Sequence, residues 1–532
     1  MDAVVNLDNQ NNPLGIIRLI VDESTNTKDA SGIVAPLLII GRIRAAFIIA
    51  KMLADHGYQD SATALALCIG GLIYDNQNEE IRGLKALREQ VDGMSARQQT
   101  AFYDQIITKT VLFSLLIPKL HQLTHNQQMR ILEILKAAVP RLRSIFDFNA
   151  PEPILSLEEM RRRGREKACL LNYPLPPSGA RQIRNVVLVA PEHHTSEGFK
   201  WLDSGKLIAM NETNVPQWMY GMHLYGWKTK SYGMKERLED WTDACREIIE
   251  TCRQMNADIL LVDLDQFMDH KIIYSDTYDL RRRNKRIEAF GTMVNQLRQE
   301  KSSIKVAGYI CDPWMRGHFI LAKHMTEVFD AIIDFTSPSM PLWNQPHLAN
   351  KVLHMILPQG GNIQPPEKPL IPHMLFSGSV SLVSPQRALW LTAAKHLNLP
   401  IHVKHRSFMP DGLSVLDSYA LYRQNLALAT CCLNITMRYD MATIINGRPF
   451  EVTLSGALLV QDCTPDLNYF LVAGEHYLEF SSVAELSAVM RFITHHREEA
   501  EEIRRCGHAF VTQHYNDEKI IGHLDWFLYF RK

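Results

Sequence analysis

In the first 148 residues, apolar positions recur at spacings of three and four, the period of one face of an α-helix. This pattern predicts helices over residues 45–53, 62–74, 101–117 and 128–145, joined by short polar connections. Strand signals are almost absent, so we expect residues 1–148 to form an all-α domain of helical hairpins. Such a domain either only stabilises the rest of the chain or docks an acceptor or a partner protein.

From residue 183 to residue 360 the pattern changes to short apolar runs separated by helical segments. The runs at 186–190, 259–262, 306–310, 331–335 and 352–357 have the continuous apolar character of strands buried on both faces of a sheet. Helices are predicted between them over residues 241–255, 285–300 and 318–329. This alternation is typical of a parallel, doubly wound sheet.

A second alternation follows residues 361–372, whose prolines indicate an interdomain linker. It predicts strands at 374–377, 401–404, 432–436 and 458–460, and helices at 386–397, 417–429, 449–454 and 516–530. The predicted fold class is therefore α/β, with two tandem Rossmann-like domains at residues 183–360 and 373–515 behind the helical domain. In such a pair the carboxyl ends of the strands face a shared cleft.

Residues 149–182 are a proline-rich linker with a basic, helix-like run in its middle. This run, residues 158–167, contains Arg161, Arg162, Arg163 and Arg165. A solvated face or a contact to a neighbouring acidic surface explains it better than binding of nucleic acid or phosphate.

The chain has 532 residues, of which 46% are hydrophobic and 22% are charged. This composition is typical of a globular protein. A net charge of −1 gives no field that would attract nucleic acid or an acidic membrane. The nine cysteines form no CxxC pair, which argues against a zinc cluster or a disulfide framework and fits a reducing cytoplasm. A secretory signal is not indicated, because the N-terminus carries Asp2 and lacks a basic segment followed by an apolar one. A membrane span is not indicated either, because Arg42 and Arg44 interrupt the apolar stretch at 33–50, which is too short to cross a bilayer.

Candidate binding chemistry lies in the second predicted sheet. Glu451, in the first turn of a short helix before a buried strand, is placed to hold a pair of sugar hydroxyls, or only to cap the helix. Positive charge beside a diphosphate could come from Arg448, Lys404 and Arg406, which are otherwise surface charges. The small residues Ser377, Gly378 and Ser379 follow the first strand and would let a phosphate approach the backbone.

Further candidate residues follow the strands of the first predicted sheet. His193 and His194 come directly after the run at 186–190 and could accept a proton from a hydroxyl, or belong to a polar loop. Asp312 follows the run at 306–310 and could orient a substrate, or serve as a turn residue before Pro313. Asp263 and Asp265 have the spacing of a metal-binding DxD motif, but they end a strand in a Rossmann-like alternation.

The stretch from residue 446 to residue 515 resembles the C-terminal half of group 1 glycosyltransferases of the GT-B fold, in the branch of the CgeB-like spore-maturation proteins. The matching residues are Arg448, Phe450, Glu451, 455–460, Asp462, Gly474, Glu475, Glu485, Leu486, Gly507 and 511–515. The resemblance implies that Glu451 binds the donor ribose and that Arg387 is a common family arginine. It further implies a UDP- or GDP-linked sugar as co-substrate, no cofactor, no essential metal, and a last helix, 516–532, that crosses back. It favours a retaining reaction.

Two functions are compatible with these features. The first is a cytoplasmic, bacterial glycosyltransferase that moves a hexosyl or related sugar to a protein, glycan or lipid-linked acceptor, either alone or as a homo-oligomer. The second is a non-catalytic scaffold of the same fold. The reduced glycine loop at 377–379, and the presence of only Glu451 from the fuller Glu-x7-Glu motif, favour the scaffold. The missing GxGxxG, Walker and GxSxG motifs disfavour oxidoreductases, NTPases and serine hydrolases.

Overall fold

The structure is a computed structural model of the chain. It describes residues 8, 27–39, 42–58, 60–102, 124–191, 214–234, 241–264, 280–310, 327–335, 348, 350–359, 371–378, 386–404, 423–436, 445 and 447–531.

The described part of the first 148 residues is helical. Its helices are α1 (Thr27–Ile39), α2 (Ile43–Asp55), α3 (Ser61–Ile73), α4 (Gln77–Asp92), α5 (Ala96–Phe102), α6 (His125–Ala138) and α7 (Arg141–Ile145). Side chains fix several starts: Asp60 accepts from the Thr63 amide, and Thr124 forms a capping box with Gln127.

One expectation for this region needs correction, and one long helix was not predicted. The helix predicted at 128–145 is two helices, α6 and α7, because Pro140 interrupts the hydrogen-bonding pattern between them. Helix α4 was not predicted, since its sequence is mostly polar and only five of its residues are buried. Residues 103–117 of the predicted helix at 101–117 lie outside the described residues.

The first sheet has six parallel strands in the order β2-β1-β3-β4-β5-β6. They are β1 (Asn185–Pro191), β2 (Lys228–Met234), β3 (Ile259–Asp263), β4 (Lys305–Ile310), β5 (Ala331–Asp334) and β6 (Val352–His354). The connecting helices are α9 (Asn214–Leu224), α10 (Thr242–Met255) and α11 (Leu280–Glu300). Five strands match the predicted runs. Strand β2 was not predicted, because this edge strand begins with four polar residues and has no apolar run.

The second sheet has five parallel strands in the order β11-β10-β9-β7-β8. They are β7 (Ile371–Ser377), β8 (Ile401–Lys404), β9 (Ala429–Asn434), β10 (Leu458–Asp462) and β11 (Leu478–Phe480). The helices of this unit are α12 (Gln386–His396), α13 (Arg448–Leu454), α14 (Val483–His495), α15 (Arg497–His514) and α16 (Asp517–Tyr529).

Three boundaries in this unit differ from the predictions. Strand β9 starts at Ala429, so the predicted strand at 432–436 is shifted. The predicted helix at 417–429 ends one residue early, and its residues 417–422 lie outside the described residues. Strand β7 starts three residues before the predicted 374, with a register shift between Ile371 and Met374 around Pro372. The three-residue strand β11 is too short to give a pattern. In the first unit, residues 318–326 of the helix predicted at 318–329 lie outside the described residues, and residues 327–329 are not helical.

The predicted fold class is confirmed: a helical region precedes two tandem Rossmann-like parallel sheets, the sheet content of the GT-B arrangement. One core joins the N-terminal helices to one face of the second sheet, for example through Phe146 against Trp390. A second core lies between the other face of that sheet, the first sheet and α16. A third covers the outer face of the first sheet with α10 and α11.

Helix α16 carries the end of the chain onto the first sheet unit. The Tyr225 hydroxyl donates to Asp525 at 3.3 Å, and the Tyr529 hydroxyl donates to the Asp258 carbonyl at 3.0 Å. At the start of α16, Asp517 accepts from the Gln359 amide at 2.6 Å. The last helix therefore connects the second unit to the first.

The basic run forms helix α8 (Leu157–Lys167), which lies on an acidic surface of the second unit. Lys167 pairs with Glu479 at 2.8 Å, and Arg161 pairs with Glu502 at 2.8 Å. The helix approaches so closely that a Cβ at Gly164 would overlap the carbonyl oxygen of Ala473. Both interpretations of this run apply: one side contacts an acidic surface, whereas Arg162 and Arg163 are exposed and pair with glutamates of their own helix.

Among the residues that the structure describes, no helix combines the length and apolarity needed to cross a bilayer.

Candidate functional site

The candidate donor site is built around helix α13, which follows the carboxyl end of β9. Pro449 at the start of the helix has no N–H to satisfy, and its fixed φ suits the first turn. Glu451 lies in that first turn, and its carboxylate is 3.4 Å from Nε of Arg448. Each of the two side chains is 14% exposed, so a charged pair stands at the boundary between protein and solvent.

Buried hydrogen bonds hold the other end of α13 in place. Arg423, which is 1% exposed, donates from Nε to the Ser455 hydroxyl at 2.9 Å and from Nη1 to the Gln359 carbonyl at 3.1 Å. Nδ1 of His508 lies 2.9 Å from the Thr453 carbonyl, and Arg504 donates to the Gly456 carbonyl. The helix that carries Glu451 is therefore rigidly attached to its surroundings.

Gly447 allows the segment after β6 to reach the start of α13. A Cβ at this position would lie 3.4 Å from Nε2 of Gln359 and 3.4 Å from Oε1 of Glu451. Gln359 itself is fully buried, and its side chain donates to the Leu357 carbonyl at 2.6 Å. The exit from the first sheet thus packs directly against the helix of the candidate donor site.

The end of β7 brings small residues beside a cation. Ser377 is half-buried and Gly378 is buried, and a Cβ at Gly378 would lie 3.5 Å from Nη1 of Arg387. Nε of Arg387 donates to the Ile435 carbonyl at 3.3 Å. Arg387 therefore lies between the end of β7 and the residues that follow β9. Ser379 lies outside the described residues. The end of β7 therefore combines small side chains with a nearby positive charge, a combination that suits a phosphate.

The other predicted cations are placed only in part. Lys404 is the last residue of β8 and the register partner of Ser377, so the two backbones lie side by side at the carboxyl edge. Arg406 lies outside the described residues. The structure therefore gathers Arg448, Glu451, Ser377, Gly378 and the backbone of Lys404 on one unit.

A buried polar network closes the carboxyl ends of β9 and β10. Asp462, which is fully buried, accepts from the Thr436 amide at 2.9 Å and from the Thr436 hydroxyl at 3.1 Å. Gln461 donates to the Thr436 hydroxyl at 2.9 Å and accepts from Asn434 at 2.7 Å. The network fixes the point where the chain leaves β9. The pairing joins residues about 26 positions apart, so the sequence pattern could not reveal it.

On the acceptor side, the predicted residues His193, His194, Asp312 and Asp265 lie outside the described residues. Asp263 is described at the end of β3, where it is 3% exposed and accepts from the Tyr309 hydroxyl at 3.2 Å. Within the described ranges, no group of three His, Cys, Asp or Glu side chains is arranged to hold a metal ion.

The adjacent cysteines of β9 are unsuited to nucleophilic chemistry. Burial raises the pKa of the Cys432 thiol to about 12, although the nearby Arg448 charge acts in the opposite direction. Burial also raises the pKa of Cys431 well above its usual value. Both remain thiols at neutral pH, whereas a nucleophilic cysteine needs the thiolate.

The sequence of the second unit matches one known family. Residues 387–524 match the sequence model of a family described as glycosyl transferase-like, a stretch that begins at Arg387 and includes Arg448 and Glu451. No curated protein matches the chain. The CgeB-like branch stays a prediction.

Several solved structures are similar to the chain at low identity. Sucrose-phosphate synthase from Thermosynechococcus elongatus has a TM-score of 0.41 and 11% identity, over 64% of this chain and 97% of that one. Anabaena HepE in complex with UDP and glucose has a TM-score of 0.41 and 10% identity, over 64% and 98%. An O-GlcNAc transferase mutant from Thermobaculum terrenum has a TM-score of 0.32 and 12% identity, over 94% and 97%.

Proposed function

We propose that this chain is a glycosyltransferase that moves a sugar from a nucleotide-sugar donor to a hydroxyl acceptor. The observation that carries the proposal is the Arg448–Glu451 pair at the start of α13, inside the stretch that matches the glycosyl transferase-like family. A carboxylate and a guanidinium side by side suit the two parts of a nucleotide that need opposite chemistry, the ribose hydroxyls and the diphosphate.

In this proposal Glu451 accepts hydrogen bonds from the ribose hydroxyls. Arg448, with Lys404 and Arg406, stabilises the negative charge that develops on the departing diphosphate. Ser377, Gly378 and Ser379 let the phosphates approach the end of β7. Side chains then balance the negative charge of the diphosphate, so the proposed reaction needs no metal ion. The proposed donor is a UDP- or GDP-linked sugar.

The acceptor would bind at the carboxyl edge of the first sheet, opposite the donor. His193, His194 and Asp312 follow strands that end at this edge and are proposed to contact the acceptor, which is a protein, glycan or lipid-linked sugar. The stereochemical outcome depends on whether a protein base faces the acceptor hydroxyl.

Calorimetry and thermal unfolding with UDP and GDP test the donor site directly. We expect one of the two nucleotides to bind and to raise the unfolding temperature. In Glu451→Ala the affinity should fall roughly 10- to 100-fold, the loss expected for hydrogen bonds to a charged group. The matched control is Glu498→Ala, which removes an exposed carboxylate from the first turn of α15 and should leave the affinity unchanged.

Hydrolysis of candidate nucleotide sugars without an acceptor then identifies the sugar. A wild-type protein whose unfolding temperature responds to no nucleotide would contradict the proposal and favour the non-catalytic scaffold. Equal losses in Glu451→Ala and Glu498→Ala would show that the nucleotide does not contact Glu451.

A further inference from the structure

A histidine–carboxylate pair stands at the carboxyl edge of the first sheet. Asp334 ends β5, His354 ends β6, and the two residues are register neighbours. Nδ1 of His354 lies 3.0 Å from Oδ2 of Asp334. The aspartate side chain is fully buried, whereas the histidine side chain is 15% exposed. The buried carboxylate therefore holds the imidazole ring at Nδ1, while part of the ring remains exposed to solvent.

The neighbouring strands provide a comparison. Asp263 ends β3 and accepts from the hydroxyl of Tyr309 on β4, again between register neighbours. That pair is closed to solvent, because Asp263 is 3% and Tyr309 is 0% exposed. The Tyr309 hydroxyl therefore serves as a buried hydrogen-bond donor to Asp263. Of the two pairs, the one that contains His354 also presents a titratable group to the surface.

His354 also lies at the start of the segment that leads to the second unit. Strand β6 leads directly to Gln359, five residues later, which packs against Gly447 beside Glu451. Five residues span at most about 17 Å when fully extended. His354 thus lies at the carboxyl edge where an α/β sheet binds ligands, on the segment that connects to the candidate donor site.

We propose that His354 is the general base of the transfer reaction and that Asp334 is its positioning residue. This inference rests on the proposed function. In this step Nδ1–H of His354 donates a hydrogen bond to Asp334, which leaves the lone pair on Nε2 directed away from the carboxylate. Nε2 takes the proton of the acceptor hydroxyl, or of water when no acceptor is present.

In this step the acceptor oxygen forms a bond to the anomeric carbon of the donor as its proton passes to Nε2. The bond between that carbon and the diphosphate oxygen breaks, and the nucleoside diphosphate leaves with the electron pair. The proton then returns from Nε2 to solvent. A single displacement of this kind inverts the anomeric configuration, in contrast to the retention that the family resemblance favours.

The test uses UDP-glucose and GDP-mannose hydrolysis by the full chain, with water as acceptor. In His354→Ala, kcat should fall roughly 100-fold while KM and the affinity for free UDP or GDP stay unchanged, because a general base contributes to the chemical step. Added imidazole should restore part of the lost rate. Asp334→Asn should lower kcat without changing KM. His373→Ala, which removes an exposed histidine from β7, should behave as wild type.

The outcomes separate this inference from the proposed function. Wild-type binding of UDP or GDP with unchanged kcat in a folded His354→Ala variant overturns the base and leaves the donor site standing. Wild-type protein that binds a nucleotide but hydrolyses neither donor also overturns it, as does NMR detection of α-glucose as the first product from UDP-glucose. Absence of nucleotide binding overturns the proposed function itself.

Discussion

Glu451 and Arg448 meet because they lie three positions apart on one helix, which places their side chains on the same face. The sequence shows this spacing. Their equal exposure of 14% does not follow from this spacing, since a residue as distant in sequence as Gln359 also lies beside Gly447 at the start of the helix. A residue's chemistry is thus local, while its accessibility is set by distant parts of the chain.

Two buried histidines make stability depend on pH. His476 accepts from the Val472 amide at 3.0 Å and stacks on Phe510, and burial lowers its pKa to about 4. His523 stacks on Tyr173, and burial lowers its pKa to about 4 as well. An unfolded histidine titrates near pH 6.5. Between about pH 6.5 and pH 4 these histidines are protonated in the unfolded state but neutral in the native state. Lowering the pH through this range therefore destabilises the fold.

We expect each of these histidines to cost about 2 kcal/mol of stability when the pH falls from 7 to 5, at about 1.4 kcal/mol per unit below pH 6.5. Urea unfolding at both pH values measures the loss. In His523→Gln the loss should be smaller by that amount, whereas His495→Gln, an exposed histidine, should show the wild-type loss. The same pH dependence in both variants would contradict the assignment.

Two helical glycines should respond to alanine in opposite directions. In Gly164→Ala the new Cβ meets the backbone of Ala473, so helix α8 must shift, and we expect a loss of about 1–3 kcal/mol in the free energy of unfolding. In Gly291→Ala the nearest atom, on Val328, is 3.8 Å away, so the higher helix propensity of alanine should stabilise by about 0.5–1 kcal/mol. Urea denaturation measures both. A neutral Gly164→Ala would show that α8 does not dock so closely.

At the scale of elements, α13 depends on the buried guanidinium of Arg423. Ser455→Ala removes the hydroxyl that accepts from Nε at 2.9 Å, so a buried charged donor loses its acceptor. We expect a loss of about 1–3 kcal/mol in the free energy of unfolding. Ser144→Ala is the control, because that hydroxyl is exposed and should contribute less than about 0.5 kcal/mol. Equal effects of the two substitutions would refute the anchoring role of Arg423.

Elements with a strong pattern were predictable and elements without one were not. The central strands β1, β3, β4 and β10 are buried on both faces, so each is a continuous apolar run. The edge strand β2 is not such a run, and it becomes a strand only because β1 offers it parallel hydrogen bonds. Its place in the sheet is a property of its neighbour as much as of its own residues.

At the scale of the whole molecule, the N-terminal helices share one core with the second sheet unit. Rings of Phe146 and Trp390 lie 4.9 Å apart in this core. Phe146→Ala should therefore destabilise both regions together, by about 3–5 kcal/mol. Hydrogen exchange measures this: peptides from α6 and β10 should exchange faster to the same extent.

Phe148→Ala, at a half-buried ring two residues later, is the matched control and should have a smaller effect. Faster exchange confined to the N-terminal helices would mean that they unfold as an independent domain. In that case the shared core contributes little to the stability of the second unit. Residue 148 would then mark the boundary between two regions that unfold independently.

The sequence by itself determined the α/β class, the helical start of the chain and the carboxylate and cation of α13. These depend on periodicity, helix-start chemistry and residue type, all of which act over a few neighbouring residues. The tertiary structure alone decided that α8 lies on an acidic surface, that Asp334 meets His354, and that Gln359 reaches Gly447. Such contacts depend on how sheets and helices pack, because they join residues that no local pattern connects.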